Sequence, residues 1–198
     1  MGIPILHLYN IIMAYTESKM LDLGLKAPDF KLPDTISGKH FQLADFSNAK
    51  ATVIMFLCNH CPYVIHVNGE IVNLAKEYQA RGVKFVGISS NDAEKYPQDG
   101  PDKMKEHALA VGYPFPYLYD ESQEVARAYD AACTPDFYVF DAEMYLVYRG
   151  RLDGSRPGNS LPLSGADLRA ALDAVLSGQP VSDIQYPSGG CNIKWKAA

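Results

Sequence analysis

The alternation of apolar and polar positions divides the chain into strands and helices. Residues 51–57 form a continuous apolar run rich in β-branched and aromatic side chains, which predicts a buried strand. Over residues 63–78 apolar side chains recur at helical spacing, which predicts a helix that ends at Arg81-Gly82. Residues 83–89 predict a second strand, and this strand–helix–strand order implies a parallel pair joined by a right-handed crossover.

Shorter runs on both sides extend this unit. Prolines in residues 27–33, a turn at Ser37-Gly38 and the run 41–43 predict an N-terminal β-hairpin. The later pattern predicts, in order, a helix over 102–111, an edge strand over 114–119, a helix over 120–130 with Asp120 as N-cap, strands over 136–140 and 145–148, and a helix over 167–176. This order predicts an α/β fold with a mixed central sheet and helices on both faces.

Composition excludes several classes of function. The 198 residues are 47% apolar and 21% charged, as in ordinary globular proteins. A net charge of -5 and a pI near 5.5 argue against nucleic acid as a main partner. Four cysteines in a chain of this length do not form a disulfide scaffold. No apolar run is as long as a transmembrane helix, so we expect no membrane partner.

The first residues are apolar but lack the features of a secretory signal. Residues 3–14 have no basic segment before them and no Ala-x-Ala cleavage site. Met13 has the features of a natural start, so we interpret residues 1–12 as either an extension or an artefact of start-site choice. The missing signal favours a cytoplasmic location, where a reducing role is more natural than oxidation.

The candidate chemistry lies where the first strand meets the first helix. Cys58 and Cys61 form a Cys-x-x-Cys pair there, and Pro62 fits the first helical turn. The unpaired N–H groups and the dipole at a helix start favour negative charge, which lowers the pKa of a thiol. Because a helix start beside a strand end is an exposed place, we expect Cys58 to lie near solvent.

Three interpretations of this pair compete: a redox dithiol, half of a metal site, or two structural thiols. A zinc site needs a second Cys-x-x-Cys or a histidine pair at matching spacing, and the sequence has neither. A soft-metal site would gather a different set, namely Cys58, His60, Cys61, His66 and Cys133. The strand–motif–helix context favours the redox dithiol, without a metal or cofactor.

Thr134-Pro135, directly before the strand 136–140, adds a second motif to this pair. Together they resemble the thioredoxin-like superfamily, in its redoxin (AhpC/TSA-type) branch, near peroxiredoxins and membrane-linked thiol-disulfide oxidoreductases. Three segments resemble a bacterial group of thioredoxin-family proteins: Cys58-Asn-His-Cys-Pro-Tyr63, Ala132-Cys-Thr-Pro-Asp136 and Gly190-Cys-Asn-Ile-Lys-Trp195. The resemblance implies a three-layer α/β/α sandwich over residues 21–178, with an N-terminal β-hairpin and an inserted helix. Residues 1–20 are then an N-terminal extension, and residues 179–198 are a C-terminal tail carrying Cys191.

The resemblance also implies a role for each residue of the site. Pro135 is expected to be a cis-proline that faces the dithiol and keeps it from capturing metal. Cys58 is expected to form a mixed disulfide with the partner, and Cys61 to resolve it. The backbone at Thr134 is expected to bind the partner as an added strand. His60 stands where disulfide isomerases carry histidine, and we expect it to tune the pKa of Cys58 and the potential of the pair. The implied partners are protein or small-molecule thiols and disulfides, with a thioredoxin or glutathione system as reductant.

The sequence departs from the family at three positions. Thioredoxins carry a tryptophan where this chain has Leu57 and a buried aspartate where it has Thr52, so the second thiol needs water or another base. Peroxiredoxins carry threonine or serine three residues before the peroxidatic cysteine, and Met55 stands there before Cys58. We therefore rank an antioxidant peroxidase below a thiol-disulfide oxidoreductase.

Two further cysteines lie outside the motif. Cys133 directly precedes Thr134-Pro135, and Cys191 follows Gly189-Gly190 in a tail that is able to fold back. We predict that they supply a second thiol pair or an alternative resolving route; two unrelated thiols are the competing interpretation. Three arginines can rim the site and favour acidic partners, although a solvated loop is the simpler interpretation: Arg149, Arg151 and Arg156.

Overall fold

A mixed five-stranded sheet forms the centre of the protein, as described by a computed structural model for residues 15–197. The strands are β1 (Tyr15–Glu17), β2 (Lys31–Pro33), β3 (His40–Gln42), β4 (Ala51–Phe56), β5 (Val83–Ser89), β6 (Tyr117–Tyr119), β7 (Cys133–Thr134), β8 (Asp136–Asp141), β9 (Leu146–Gly150) and β10 (Gly189–Asn192). The helices are α1 (Pro62–Gln79), α2 (Pro101–Val111), α3 (Glu124–Ala128) and α4 (Ala166–Leu176). The interpretation of residues 1–12 as an extension without a secretory signal lies outside the described residues.

The central sheet has the order β6-β5-β4-β8-β9. β5 runs parallel to both β4 and β6, whereas β8 runs antiparallel to β4 and β9. The predicted parallel pair and the predicted C-terminal hairpin are therefore confirmed. β2 and β3 form the predicted N-terminal hairpin as a separate two-stranded sheet.

β4 is the middle strand of this sheet, and all six of its residues are buried. Side chains alternate across a strand, so Val53 and Met55 enter one apolar core while Ile54 and Phe56 enter the other. The first core is closed by α1, α2 and α4, and the second by α3 and the N-terminal hairpin. An apolar run without polar alternation is what a strand covered on both faces requires.

Two predicted elements are longer than the observed ones. The predicted helix over 120–130 is observed as α3, five residues long, with Gln123 rather than Asp120 at the N-cap. Asp120 nevertheless contributes to this end, because its Oδ2 accepts a hydrogen bond of 2.9 Å from the N–H of Ala126. The predicted edge strand begins only at Tyr117, after two prolines that cannot donate to a ladder.

A third, small sheet has the order β1-β10-β7 and was not predicted. β1 and β10 lie outside residues 21–178, yet β10 is the middle strand and pairs antiparallel with both neighbours. Gly189 and Gly190 permit this close pairing, because a Cβ on Gly190 would overlap the carbonyl oxygen of Thr134. The tail is thus built into the fold beside the Thr134-Pro135 motif. Within residues 15–197, no helix is long and apolar enough to cross a membrane.

Candidate redox site

The Cys-x-x-Cys pair occupies the junction between β4 and α1. Cys58 lies two residues after β4, and Cys61 is the N-cap of α1, with Pro62 at the first helical position. The amide of Leu57 still bonds the carbonyl of Ile88 in β5, at 2.9 Å, so the sheet fixes the chain up to the motif. The motif therefore sits between two rigid elements.

Thr134 contacts both sulfurs. Its Oγ1 lies 3.2 Å from Sγ of Cys58, and its carbonyl oxygen accepts a hydrogen bond of 3.3 Å from Sγ of Cys61. The peptide bond between Thr134 and Pro135 is cis. Residues that are 73 and 76 positions apart in sequence are thus brought together at one point.

The expectation that Cys58 lies near solvent is wrong. Cys58 is 1% exposed and Cys61 is fully buried. The segment 92–100 closes over this end of the site: the amide of Asn59 donates to Oδ1 of Asp99 at 2.8 Å, and its side-chain amide donates to the carbonyl of Gln98 at 2.7 Å. Sequence reasoning missed Asp99, because nothing local marks a carboxylate 41 residues after Cys58 as its neighbour.

His60 lies beside Cys58 as part of a small polar cluster. Ligand atoms of Cys58, His60 and Asp99 all lie within 4.8 Å of one another. Nδ1 of His60 is 2.7 Å from Oδ2 of Asp99, close enough for an ion pair when the ring is protonated, although not aligned for a hydrogen bond. The ring stacks on Tyr96, with 5.8 Å between the centroids. The side chain is thus held in one orientation from two sides.

The pKa values of the two thiols shift in opposite directions. A hydrogen bond to Cys61, burial and the charge of Asp99 raise the pKa of Cys58. Hydrogen bonds from Cys191 and Cys58 lower the pKa of Cys61, and the backbone N–H of Val64 adds to the effect. The first-turn N–H of α1 therefore stabilises charge on the second cysteine of the motif rather than on the first.

The two further cysteines lie on different sides of the small sheet. Cys191 pairs with Thr134 in the β10–β7 register and belongs to the same apolar cluster as Cys58 and Cys61. Cys133 pairs with Asn192 and is fully buried, with its sulfur 3.9 Å from the carbonyl oxygen of Pro135. The two do not face each other across the ladder, because neighbouring positions on a strand point to opposite faces.

The soft-metal set proposed from sequence is not brought together as a whole. His66 bonds instead to the hydroxyl of Ser155, at 2.8 Å. The group that the structure does gather, Cys58, His60 and Asp99, includes a carboxylate already bonded by two amides, from Asn59 and Asn91.

A cavity of about 260 Å³ opens beside Pro135, and no residue of segment 92–100 lines it. Its lining includes Tyr15, Tyr63 and Gly189, next to β10. Arg151 and Arg156 also line it, whereas Arg149 is bonded to Gln185. Two of the three arginines considered from sequence thus border this cavity.

Comparison with known proteins gives one family. The AhpC/TSA family matches residues 23–149. A Mycobacterium tuberculosis protein named as a candidate peroxiredoxin is 29% identical over 116 residues, covering 59% of this chain and 68% of the relative. The thiol-disulfide oxidoreductase ResA of Geobacillus thermodenitrificans is 25% identical over 130 residues, covering 64% of this chain and 68% of the relative.

Solved structures extend the similarity to the fold. An uncharacterised conserved protein of Geobacillus kaustophilus is 58% identical with a TM-score of 0.93, covering 94% of this chain and 98% of that one. A thiol:disulfide interchange protein of the thioredoxin family from Chlorobium tepidum is 22% identical with a TM-score of 0.60, covering 79% of this chain and 99% of that one. At this identity the similarity shows the fold alone. The predicted thioredoxin-like α/β fold is confirmed.

Proposed function

Because the chain belongs to the AhpC/TSA family of redox proteins, we propose that it is a thiol-disulfide oxidoreductase whose redox pair is Cys58 and Cys61. The observation that carries this proposal is the contact of both sulfurs with Thr134, at 3.2 and 3.3 Å. Two thiols held against one residue at a strand–helix junction need little movement to form a disulfide. His60 and Asp99 complete the polar surroundings of Cys58.

One thiolate is shared by the pair. Because the two thiols act on each other's pKa in opposite directions, a proton shift from Cys58 to Cys61 converts the Cys61 thiolate into a Cys58 thiolate. The Cys58 thiolate then attacks a partner disulfide, forms a mixed disulfide and releases one partner thiol. Cys61 attacks the mixed disulfide, releases the second partner thiol and leaves a Cys58–Cys61 disulfide. A thioredoxin or glutathione system is the class of reductant that returns both thiols.

Access to Cys58 requires displacement of its cover. Two hydrogen bonds from Asn59 tie segment 92–100 to the residue after Cys58, and the carboxylate of Asp99 lies within 4.8 Å of the Cys58 sulfur. By contrast, Cys61 lies against the carbonyl of Thr134 at the start of α1. Movement of segment 92–100 would therefore expose Cys58 rather than Cys61. This supports the role of Cys58 as the attacking thiol.

The test is dithiothreitol-dependent reduction of insulin disulfides. Cys58→Ser is expected to reduce the rate to background, because the attacking thiol is gone. Cys61→Ser is expected to trap the mixed disulfide, detectable by intact mass. Cys133→Ala is the matched control and is expected to keep the rate. An unchanged rate in Cys58→Ser would overturn the proposal.

A thiol peroxidase is the second candidate, favoured by the hydroxyl of Thr134 beside Cys58. This hydroxyl comes from β7 and compensates for Met55 at the position where peroxiredoxins carry one. The charge of Asp99 opposes it, since a carboxylate next to Cys58 disfavours the thiolate that attacks peroxide. Hydrogen peroxide consumption with dithiothreitol separates the two: we expect it to be slow relative to insulin reduction.

A further inference from the structure

The strand β10 occupies the edge at which a partner was expected to add. Cys191 pairs with Thr134, so the chain's own tail fills the position beside the dithiol. Gly190 lies so close to the carbonyl of Thr134 that no larger residue fits there. An open edge at Thr134, as expected from sequence, is therefore replaced by an internal strand that carries a cysteine.

The register directs the side chain of Cys191 toward the dithiol. Residues directly opposite each other in an antiparallel pair project to the same face. The side chain of Thr134 points to Cys58, so Cys191 projects to that face as well. It is 2% exposed and packs in the same apolar cluster as Cys58 and Cys61. Because Thr134 contacts the sulfurs of Cys58 and Cys61 and is paired with Cys191, the three cysteines meet at this residue. Both Cys191 and Cys58 lower the pKa of Cys61, which makes Cys61 the middle sulfur of the row.

We propose that Cys191 is a third redox thiol, which takes over the disulfide from Cys58 by forming a Cys61–Cys191 bond. This inference rests on the proposed function, because it starts from the Cys58–Cys61 disulfide. It assigns to Cys191 alone the alternative resolving route that the sequence suggested for Cys133 and Cys191 together.

The transfer needs no external oxidant. The thiolate of Cys191 attacks Sγ of Cys61 in the Cys58–Cys61 disulfide. The Cys61–Cys191 bond forms, the bond to Cys58 breaks, and Cys58 leaves as a thiolate that takes the proton released by Cys191. The protein as a whole stays oxidised by two electrons.

The transfer moves the disulfide from one side of the site to the other. Cys58 lies beside Asp99 of segment 92–100, whereas Cys191 lies in the strand next to Gly189 and Tyr15, which line the cavity of about 260 Å³. In the described part of the chain, β1 pairs with β10 at Cys191, and its Tyr15 is 46% exposed. A reductant can thus meet the disulfide at a different opening from the one through which a substrate reaches Cys58.

Peptide mapping of the oxidised full-length chain tests the proposal. The protein is treated with equimolar diamide, quenched in acid, blocked with N-ethylmaleimide and digested with trypsin without reduction. Cys58 and Cys61 fall in one tryptic peptide, residues 51–76, and Cys191 falls in another, residues 170–194. We expect two oxidised products: an internal loop in 51–76, and 51–76 linked to 170–194.

Three variants identify the linkage. Cys58→Ser is expected to give only the linked peptides, since Cys61 and Cys191 remain. Cys191→Ser is expected to lose the link and to keep the loop. Cys133→Ala, the matched control, is expected to give both products. An oxidised wild type that holds only the internal loop, or a Cys58→Ser variant that forms no link, overturns the inference and leaves the proposed function standing. A wild type that forms neither product contradicts the proposed function itself.

Discussion

Cys61 is the sulfur on which the hydrogen bonds of the site converge. As a thiol it donates to the carbonyl of Thr134, whereas hydrogen bonds from the thiols of Cys191 and Cys58 and from the N–H of Val64 lower its pKa. A thiolate with several donors is stabilised even where burial alone would oppose its charge. These donors therefore lower the pKa of Cys61, the central thiol of the site.

The first prediction concerns the pH at which this thiolate forms. Because its pKa is lowered, the reduced protein is expected to keep the 240 nm absorbance of one thiolate as the pH falls from 9 to about 6, well below the ordinary thiol pKa of about 8.5. Cys61→Ser is expected to lose this absorbance, and Cys133→Ala to retain it. Loss of the wild-type signal between about pH 9 and 8 would contradict the assignment.

A second prediction concerns Asp136, a fully buried carboxyl next to Pro135. Burial raises its pKa, so it folds as the neutral acid, bonded by the hydroxyl of Tyr138 at 3.0 Å. A carboxyl with a raised pKa contributes fully to stability at a pH below its pKa in the unfolded chain, which is about 3.9. This contribution is lost as the pH rises toward the pKa of Asp136 in the folded chain. Asp136→Asn is isosteric with the neutral acid and should remove this loss.

Urea unfolding at several pH values measures that loss. We expect the free energy of unfolding of the wild type to fall relative to Asp136→Asn by about 1.4 kcal/mol per pH unit above pH 4, until the folded pKa is reached. A constant difference between the two proteins across this range would show that the carboxyl is already ionised in the fold.

Among strands, β10 depends on two glycines. Gly190→Ala would place a methyl group against the carbonyl of Thr134, and we expect it to lower the free energy of unfolding by about 1–3 kcal/mol. Gly69→Ala is the matched control: Gly69 lies exposed in α1 with open space around it, so alanine is expected to stabilise by about 0.5–1 kcal/mol. Equal effects in thermal unfolding would contradict the close pairing of β10.

The sequence predicted best those elements whose signal is local. β4, β5, α1 and α4 all lie within two residues of their predicted bounds, because an apolar run or a helical period marks each one. β7 and β10 have two and four residues, and β10 contains two glycines, so neither carries a periodic pattern. They exist because they pair with each other, and a pairing between residues 133–134 and 189–192 has no local signature.

The same distinction applies to the site. The motif and Thr134-Pro135 could be found from spacing and resemblance. The burial of Cys58 could not, because it depends on Asp99 and the packing of segment 92–100. The position of Cys191 could not be predicted either, since the Gly189-Gly190 pair indicated only that the tail is able to fold back.

For the complete chain, the packing of α4 against α1 joins residues about a hundred positions apart. Arg169 of α4 bonds Glu70 of α1 at 2.8 Å and also pairs with Glu77, over the ring of Tyr78. Its side chain is 25% exposed, and that of Glu70 is 13% exposed, so this network is partly shielded from water. Such shielding makes an ion pair worth more than one at the open surface.

Arg169→Ala is therefore expected to lower the free energy of unfolding by about 2 kcal/mol, with a smaller loss in 1 M salt. Lys103→Ala is the control, because the Lys103–Glu106 pair is exposed on both sides and should change stability by less than about 0.5 kcal/mol. Urea unfolding measures both. Equal losses in the two variants would contradict a structural role for this network.

The middle position of Cys61 has a consequence for reactivity. A sulfur takes part in one disulfide at a time, so a row of three in which Cys61 is central never pairs completely. Whichever neighbour it joins, the other end of the row keeps a free thiol directly beside an S–S bond. The oxidised chain would thus always carry its own nucleophile, whereas an isolated dithiol has none once it closes.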